Sequence, residues 1–278
     1  SNCSAAREAM TPAQEQEVAL SSATVSLGGA NILRGYRITV IGCDVSFGGF
    51  TQMSSASGPV DAVFDEVRVE NCTAHIGAGI HLHLVMGSVT VMRSVLRDLK
   101  TLPLAAGTSD LGGGVFVSAP AGLQLTLNDV LFERCAAKQG GAMQVIPGSV
   151  PAIIVLMDVV MRACVATWSG AALDVPSDAE VTYTGNRSVV EDCVCDSSIC
   201  VGVLTFGRGP SGAASRATLD GISMRRCRSG YRGGVLVRQG ASATLRGCEF
   251  SACIAQEGGA LSINDGSLDV IDSRIYGC

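Results

Sequence analysis

A cysteine that closes the same short apolar phrase recurs along this chain at intervals of 25 to 36 residues. The marker positions are Cys43, Cys72, Cys135, Cys164, Cys193, Cys227, Cys253 and Cys278, with Leu99 as the marker of a ninth copy. The residue three before each marker is apolar, and the residue five before it is mostly apolar or small. Positions in each copy are numbered relative to its marker residue, so that position minus three is the third residue before the marker. A repeat of this length predicts that one structural unit is stacked many times.

The spacing inside each copy predicts strands and tight corners. Positions minus five and minus three are two residues apart, so their side chains lie on the same face of a strand. A glycine-rich phrase such as Gly140–Met143 or Gly258–Leu261 then permits a corner before the next strand. Stacked units bury an apolar face that one unit cannot bury alone. We therefore predict an all-β chain, folded as a right-handed parallel β-helix of about nine coils.

The repeat also predicts the domain organisation. Residues 31–278 carry it and are expected to form the β-helix, which should continue beyond the chain end because the last copy has no polar cap. Residues 1–30 lack the repeat and are expected to act as a capping or linker segment. Within them, Thr11–Glu15 predicts a short helix with an N-cap and a first-turn proline.

Two copies carry a motif that points to a family. Phe132–Cys135 is followed by Gly140–Met143, and Phe250–Cys253 is followed by Gly258–Leu261. This pairing resembles the repeat of the chlamydial polymorphic outer membrane proteins, whose motifs are Phe-x-x-Asn and Gly-Gly-Ala followed by Ile, Leu or Val. The resemblance covers about 250 residues, with cysteine in place of the usual asparagine. It implies a pectin-lyase-like β-helix that serves adhesion or surface architecture, with no catalytic residues to transfer.

An apolar stripe is expected on the outer surface. Position minus four lies between two inward positions and must face outward. In four consecutive copies it is Val95, Leu131, Val160 and Val189. Contiguous apolar residues on a face that should be polar indicate contact with a partner chain or a neighbouring domain. The alternative is that the N-terminal segment or the loop 100–111 covers them.

The sequons favour an extracellular compartment. Asn2, Asn71 and Asn186 each begin an N-glycosylation sequon, and we expect a secreted or cell-surface glycoprotein. An intracellular scaffold with reduced thiols is the alternative.

The twelve cysteines allow several states. Those at marker positions are expected either as stacked core thiols or as disulfides between adjacent coils. Cys195 and Cys200 lie outside the marker column and are predicted to form a local disulfide. A zinc site formed by these two and Cys193 is the alternative.

Many parallel β-helices act on polysaccharides, so the acidic residues and histidines of this chain are candidates for catalysis or metal binding. Acidic residues occupy position minus six at Glu66, Asp129, Asp158 and Asp272, where a turn-forming role is simpler than acid–base catalysis. His75, His81 and His83 are expected to be solvated or packed in turns, with a metal site as the alternative. His81 should face outward, between inward Ile80 and Leu82. We predict no enzyme activity, no cofactor and no metal.

Charge limits the classes of partner. The net charge of -5 argues against nucleic acid, and the sequence has no stretch for membrane insertion. Four arginines form a local basic patch that is expected to be a solvated face or an acidic-glycan contact: Arg225, Arg226, Arg228 and Arg232.

These observations predict a non-catalytic structural or adhesion module of a larger extracellular assembly. Its partners would be other protein chains at the lateral face and further copies or coils at the open end, with glycans as a further partner class. The alternative is a carbohydrate-active β-helix, either a lyase- or epimerase-like enzyme or a glycan-binding protein.

Overall fold

The computed structural model describes residues 19–20, 32–54, 59–83, 86–103, 110–118, 122–146, 150–176, 179–207 and 214–278. These residues form strands, turns and bends, and every strand pairing among them is parallel. The predicted helix at Thr11–Glu15 lies outside the described residues. Within the predicted capping segment, Ala19–Leu20 forms a strand that pairs in parallel with Thr39 and Val40.

The strands belong to three sheets. Sheet I contains Ala19–Leu20, Ile32–Tyr36, Thr39–Ile41, Val60–Asp65, Arg68–Glu70, Gly87–Arg97, Leu123–Glu133, Ala152–Met157, Val160–Arg162, Ala179–Thr184, Val189–Glu191, Arg216–Asp220, Ser223–Arg225, Ser242–Arg246, Glu249–Ser251, Ser267–Ile271 and Arg274–Tyr276. Sheet II contains Thr73–Ala74, Lys100–Thr101, Ala136–Gln139, Val165–Ser169, Val194–Cys195 and Arg228–Ser229. Sheet III contains Thr51–Ser54, Ile80–His83, Val115–Ser118, Met143–Ile146, Leu173–Val175, Leu204–Phe206, Val235–Arg238 and Leu261–Asn264.

The chain passes through the three sheets in turn and returns to sheet I one coil further along the rod. This arrangement confirms the predicted right-handed parallel β-helix. Sheet III has eight strands, so the nine copies of the marker phrase build about eight complete turns.

The minus-three residues form a central column of the core. Backbone pairing places each on its counterpart in the next coil, as Phe132 on Met161 and Met161 on Val190. Each residue from the first eight copies is at most 1 % exposed: Val40, Val69, Leu96, Phe132, Met161, Val190, Met224 and Phe250. Stacking like on like therefore removes nearly all of this apolar surface from water.

The marker cysteines form a second buried column. Hydrogen bonds link the thiol of Cys164 to those of Cys135 and Cys193, so these three lie in a single file. Each thiol also meets a carbonyl of the preceding coil, as Cys193 does with Met161 at 3.4 Å. Burial raises the pKa of Cys135 and of Cys193 well above the usual range, which keeps both protonated. These three residues are stacked thiols rather than inter-coil disulfides.

Left-handed turns recur at two positions in the copies. Position minus one has φ between 51° and 70° in all nine copies, although most of its residues are not glycine. Position minus six is left-handed in every copy except that of Cys193, which has Gly185 in a similar turn. The amides of most of these turns donate to the next coil, as Arg37 N does to Asp65 O at 3.0 Å. Such inter-coil bonds offset the local cost of the conformation.

Glycine is required where sheet II turns into sheet III. Gly140 has φ 64°, and a Cβ atom added there would lie 2.5 Å from the Met143 carbonyl oxygen. A Cβ added to Gly114 would lie 2.6 Å from the Phe132 ring. The glycine-rich phrase seen in the sequence thus reflects both left-handed backbone and close approach.

Candidate interaction surface

The four apolar residues expected to face outward lie side by side on sheet I. Backbone pairing aligns Val95 with Leu131, Leu131 with Val160 and Val160 with Val189. Each is half-buried, whereas the residues on either side of it, at positions minus five and minus three, are buried. These four residues are called the apolar stripe. Lys100 and Thr101, at the start of the loop considered as its cover, instead pair with Thr73 and Ala74 in sheet II.

A file of alternating charges runs beside the apolar stripe, at position minus two. Its members are Glu70, Arg97, Glu133, Arg162, Glu191 and Arg225, stacked in that order by backbone pairing. We call it the charge file. The charge file is not among the features predicted above, although its alternation is visible in the sequence once positions are counted from the marker.

Ion pairs within the chain hold the charge file in place. Arg97 Nε lies 2.6 Å from a Glu133 oxygen, and Glu191 receives both Arg162 and Arg225, at 2.5 and 2.6 Å. The carboxylate side chains are 5–15 % exposed, and the three arginine side chains are 33–46 % exposed. The guanidinium groups therefore form most of the accessible surface of this file.

Glu191 of the charge file remains ionised. Burial alone would raise the pKa of Glu191, but hydrogen bonds from Arg225 and Arg162 outweigh it and lower that pKa. At the adjacent turn, Arg134 lies 2.6 Å from Asp98, and its hydrogen bond lowers the pKa of Asp98. The surface next to the apolar stripe is thus densely charged but locally balanced.

The predicted basic patch is not simply a solvated face. Arg225 and Arg226 contact Glu191, Arg226 also reaches Asp192 at 2.8 Å, and Arg232 lies 3.2 Å from Glu257. The acidic partners come from neighbouring coils, more than twenty residues away in sequence. A cluster of arginines in the sequence therefore becomes a set of ion pairs between coils.

The aspartates at position minus six lie close together, as expected for adjacent coils. Arg187 contacts both Asp129 and Asp158, at 3.3 Å each. A hydrogen bond from the Arg187 backbone amide lowers the pKa of Asp158. Glu66, Asp129, Asp158 and Asp272 all have positive φ. This left-handed backbone suits the turn-forming role expected from the sequence.

A polar file on sheet III was not anticipated. Its outward residues are Gln52, His81, Phe116, Gln144, Asp174, Thr205, Leu236 and Ser262, and those from His81 to Leu236 are buried. The side chain of Gln144 donates to Gln139 at 2.8 Å and to Asp174 at 3.1 Å. Burial raises the pKa of Asp174, although the charge of Arg238 and hydrogen bonds from Ser169 and Gln144 oppose this.

A sequence signal for this burial exists in the corner glycines. Gly140 precedes Gln144 by four residues, and Gly170 precedes Asp174 by four. An added Cβ would lie 2.6 Å from Gln144 Cβ and 2.5 Å from Asp174 Cβ, respectively. The glycine thus leaves a concave corner in which the outward side chain is enclosed.

The histidines do not form a common site. His81 faces outward as predicted but is only 4 % exposed, with its ring 5.5 Å from Phe47 and 5.3 Å from Phe116. Burial, and then the nearby His83, lower the pKa of His81 to about 4. His83 Nδ1 lies 2.7 Å from Ser118 Oγ, and His75 Nδ1 lies 3.0 Å from the Leu102 carbonyl. Of the two expectations for the histidines, solvated or packed in turns, His81 is not solvated, because the corner at Gly77 encloses it.

The candidate modification sites differ in what the structure describes. Asn71 and Asn186 are exposed, whereas Asn2 lies outside the described residues. Cys195 and Cys200 are joined as a disulfide with Cα atoms 5.5 Å apart, which supports the pairing expected from the sequence. Cys193 belongs instead to the buried column, where its thiol meets Met161.

Within the described residues, no group of three or more His, Cys, Asp or Glu side chains is arranged to hold a metal ion. The same part of the chain contains no helix with the length and apolar character needed to span a membrane.

Comparison with known proteins returned no match: no family model, curated protein or solved structure resembles the chain significantly.

Proposed function

We propose that this protein is a non-catalytic structural or adhesion module of a cell-surface or extracellular assembly, and that it binds a partner protein chain through the apolar stripe. The supporting observation is the strict register of Val95, Leu131, Val160 and Val189 on an outer sheet face. Apolar residues placed contiguously on such a face favour burial against another surface.

The surroundings of the apolar stripe favour a protein partner. Interfaces commonly combine an apolar centre with a polar rim in which arginine is enriched. Here Arg97, Arg162 and Arg225 provide that rim along one side, held in fixed positions by buried carboxylates. Preordered side chains lose less conformational entropy when a partner binds.

The proposed location rests on other features. Asn71 and Asn186 are exposed and could accept glycans, and the Cys195–Cys200 disulfide suits an oxidising compartment. The motif likeness to the repeats of polymorphic outer membrane proteins supports a surface role in the same way. The carbohydrate-active alternative receives less support, because the aspartates at position minus six are held by Arg187 and have turn geometry.

The test is a double substitution in the apolar stripe. Leu131→Lys with Val160→Lys should leave the β-helix folded, because both side chains face outward, and should remove the chain from its native assembly. The matched control is Thr126→Lys with Thr182→Lys, since these half-buried residues lie on the outer face of the same sheet. Tagged full-length chains would be expressed in the source cells, and complex size would be measured by sedimentation of the extracted surface fraction.

The proposal predicts that only the stripe variant sediments as a single chain. Retention of that variant in complexes of native size would refute it. Turnover or tight binding of a polysaccharide by both variants would instead favour the carbohydrate-active alternative.

A further inference from the structure

We propose that the partner at the apolar stripe is a second copy of this chain, bound face to face with the two rods antiparallel. The two-fold axis would run along the strand direction, between the coils of Leu131 and Val160. This inference rests on the proposed function, because it names the occupant of the same surface.

The order of the charges supports a self-complementary surface. Along the rod, the charge file reads Glu70, Arg97, Glu133, Arg162, Glu191, Arg225. When this order is reversed, every sign changes. In an antiparallel pair, each acid of one copy therefore faces a base of the second copy, and potentials of opposite sign meet along the whole file.

The pairs that such an axis creates can be stated directly. Glu133 would face Arg162 of the second copy, Arg97 would face Glu191, and Glu70 would face Arg225. The exposed arginines would thereby gain a further carboxylate beyond those that each already contacts within its own chain. An interface with the same patch on both sides is the usual form of a homodimer.

The apolar stripe and the charge file share one centre. The stripe is centred between Leu131 and Val160, and the charge file between Glu133 and Arg162, which lie in the same two strands. One axis therefore places Leu131 on Val160 of the second copy and Val95 on Val189. Two independent files would coincide in this way if a single two-fold axis related both.

A parallel pairing is disfavoured by the same residues. A two-fold axis along the rod would place position minus two against position minus six at each level. Three of these pairs have like charge, Glu70 with Glu66, Arg97 with Arg93 and Glu133 with Asp129, and two have opposite charge, Arg162 with Asp158 and Glu191 with Arg187. In the antiparallel arrangement every charged pair at position minus two is of opposite sign. The like-charged pairs there are confined to position minus six, where Arg93 faces Arg187 and where Asp129 faces Asp158, both of which already contact Arg187.

The size of the surface predicts a weak dimer. Five coil intervals at about 4.8 Å give a length of roughly 24 Å, and five residues along the strand give a width of roughly 15 Å. The resulting face is smaller than the roughly 800 Å² per partner of a standard interface. We expect a dissociation constant of about 10 µM or weaker, which dense display on a surface would compensate.

The test uses two variants that should each lose self-association alone and should associate with each other when mixed. Leu131→Glu and Val160→Lys each place a charge against an apolar residue of the second copy, so each should weaken self-association about tenfold or more. When the two variants are mixed, Glu at position 131 faces Lys at position 160, while the other central contact stays native. Sedimentation equilibrium of the full chain, at about 1 to 500 µM, should show association in the mixture within about threefold of the wild type.

Two controls make the result specific to this axis. A mixture of Leu131→Glu with Leu131→Lys should not recover, because position 131 does not face itself in the antiparallel pair. Thr126→Lys, outside the stripe, should associate as the wild type does. Recovery of the first mixture, or no recovery of the Leu131→Glu and Val160→Lys mixture, would overturn the proposed axis.

The outcomes also separate this inference from the proposed function. If the purified wild type remains monomeric throughout, while the stripe variant is still lost from the native complex, the partner is a different protein and only the dimer fails. If the stripe variant also keeps its place in the native complex, both proposals fail. Circular dichroism checks folding, and should a charged variant unfold, Leu131→Gln and Val160→Gln must still weaken self-association.

Discussion

The imidazole of His81 lies between the rings of Phe47 and Phe116, and within the described residues neither of its nitrogen atoms has a hydrogen-bond partner. The alternation of Ile80, His81 and Leu82 correctly predicts an outward orientation. It cannot predict burial, because burial depends on the corner made by Gly77 and on rings from two neighbouring coils. The orientation of a side chain therefore follows from its immediate neighbours in the sequence. Its burial depends on residues about thirty positions away.

His81 should make the fold sensitive to acid. Its pKa is about 4 in the folded chain, below the ordinary value of 6.5, so the unfolded chain binds more protons between these two values. The stabilising effect is complete above about pH 6.5 and is lost as the pH falls towards 4. Urea unfolding at pH 7 and pH 4 should show that His81→Phe removes up to about 3 kcal/mol of this pH dependence.

The control is Thr126→Ala, which alters no titratable group and lies on the outer face of sheet I. It should leave the pH dependence close to that of the wild type. Equal pH dependence in His81→Phe and the wild type would contradict the burial argument.

At the scale of one element, the glycine corner needs both a left-handed backbone and the absence of a side chain. Substitutions can separate these two requirements. Gly140 has left-handed backbone and is crowded by Met143, whereas Gly247 has φ 57° with nothing within 4 Å of an added Cβ. A side chain at either glycine would adopt the left-handed conformation, whereas only a side chain at Gly140 would also overlap with neighbouring atoms. The repeated Gly-Gly phrase predicts this corner from sequence, but the left-handed turn at residues such as Arg134 and Ala163 is not predictable from residue type.

We expect the two glycines to differ when replaced by alanine. Gly247→Ala should cost about 1–2 kcal/mol in unfolding free energy, because only the left-handed conformation is penalised. Gly140→Ala should cost at least about 2 kcal/mol more, since its Cβ must displace backbone. Denaturant titration of both variants measures the difference; equal losses would show that the corner yields easily.

At the scale of the whole molecule, each coil contacts mainly the coils directly before and after it. Such a stack behaves as a one-dimensional array, in which stability is a sum of neighbour contacts. The column through Phe132, Met161 and Val190 carries much of that contact, because these side chains are wholly buried.

Phe132→Ala should therefore weaken the fold locally as well as globally. A loss of about 3–5 kcal/mol is expected for a fully buried phenylalanine. Hydrogen exchange should show the largest loss of protection in Gly87–Arg97 and Val160–Arg162, which pair with its strand, and less in the distant Ser242–Arg246. Thr126→Ala, on the outer face of the same strand, is the control. A uniform loss along the rod would mean that the coils unfold as one unit.

The coil period, the inward columns, the parallel β-helix and the outward position of Val95, Leu131, Val160 and Val189 could all be predicted from the sequence, whereas the division into three sheets was seen in the structure. The predicted features follow from strand alternation and from a repeat that stacks like residues, both of which can be counted along one chain. Only the tertiary structure decided which charges meet, as Glu191 with Arg162 and Arg225, and which outward side chains are enclosed, as His81 and Asp174. The physical reason is that ion pairs and concave corners depend on the separation and angle between coils, which no local pattern encodes.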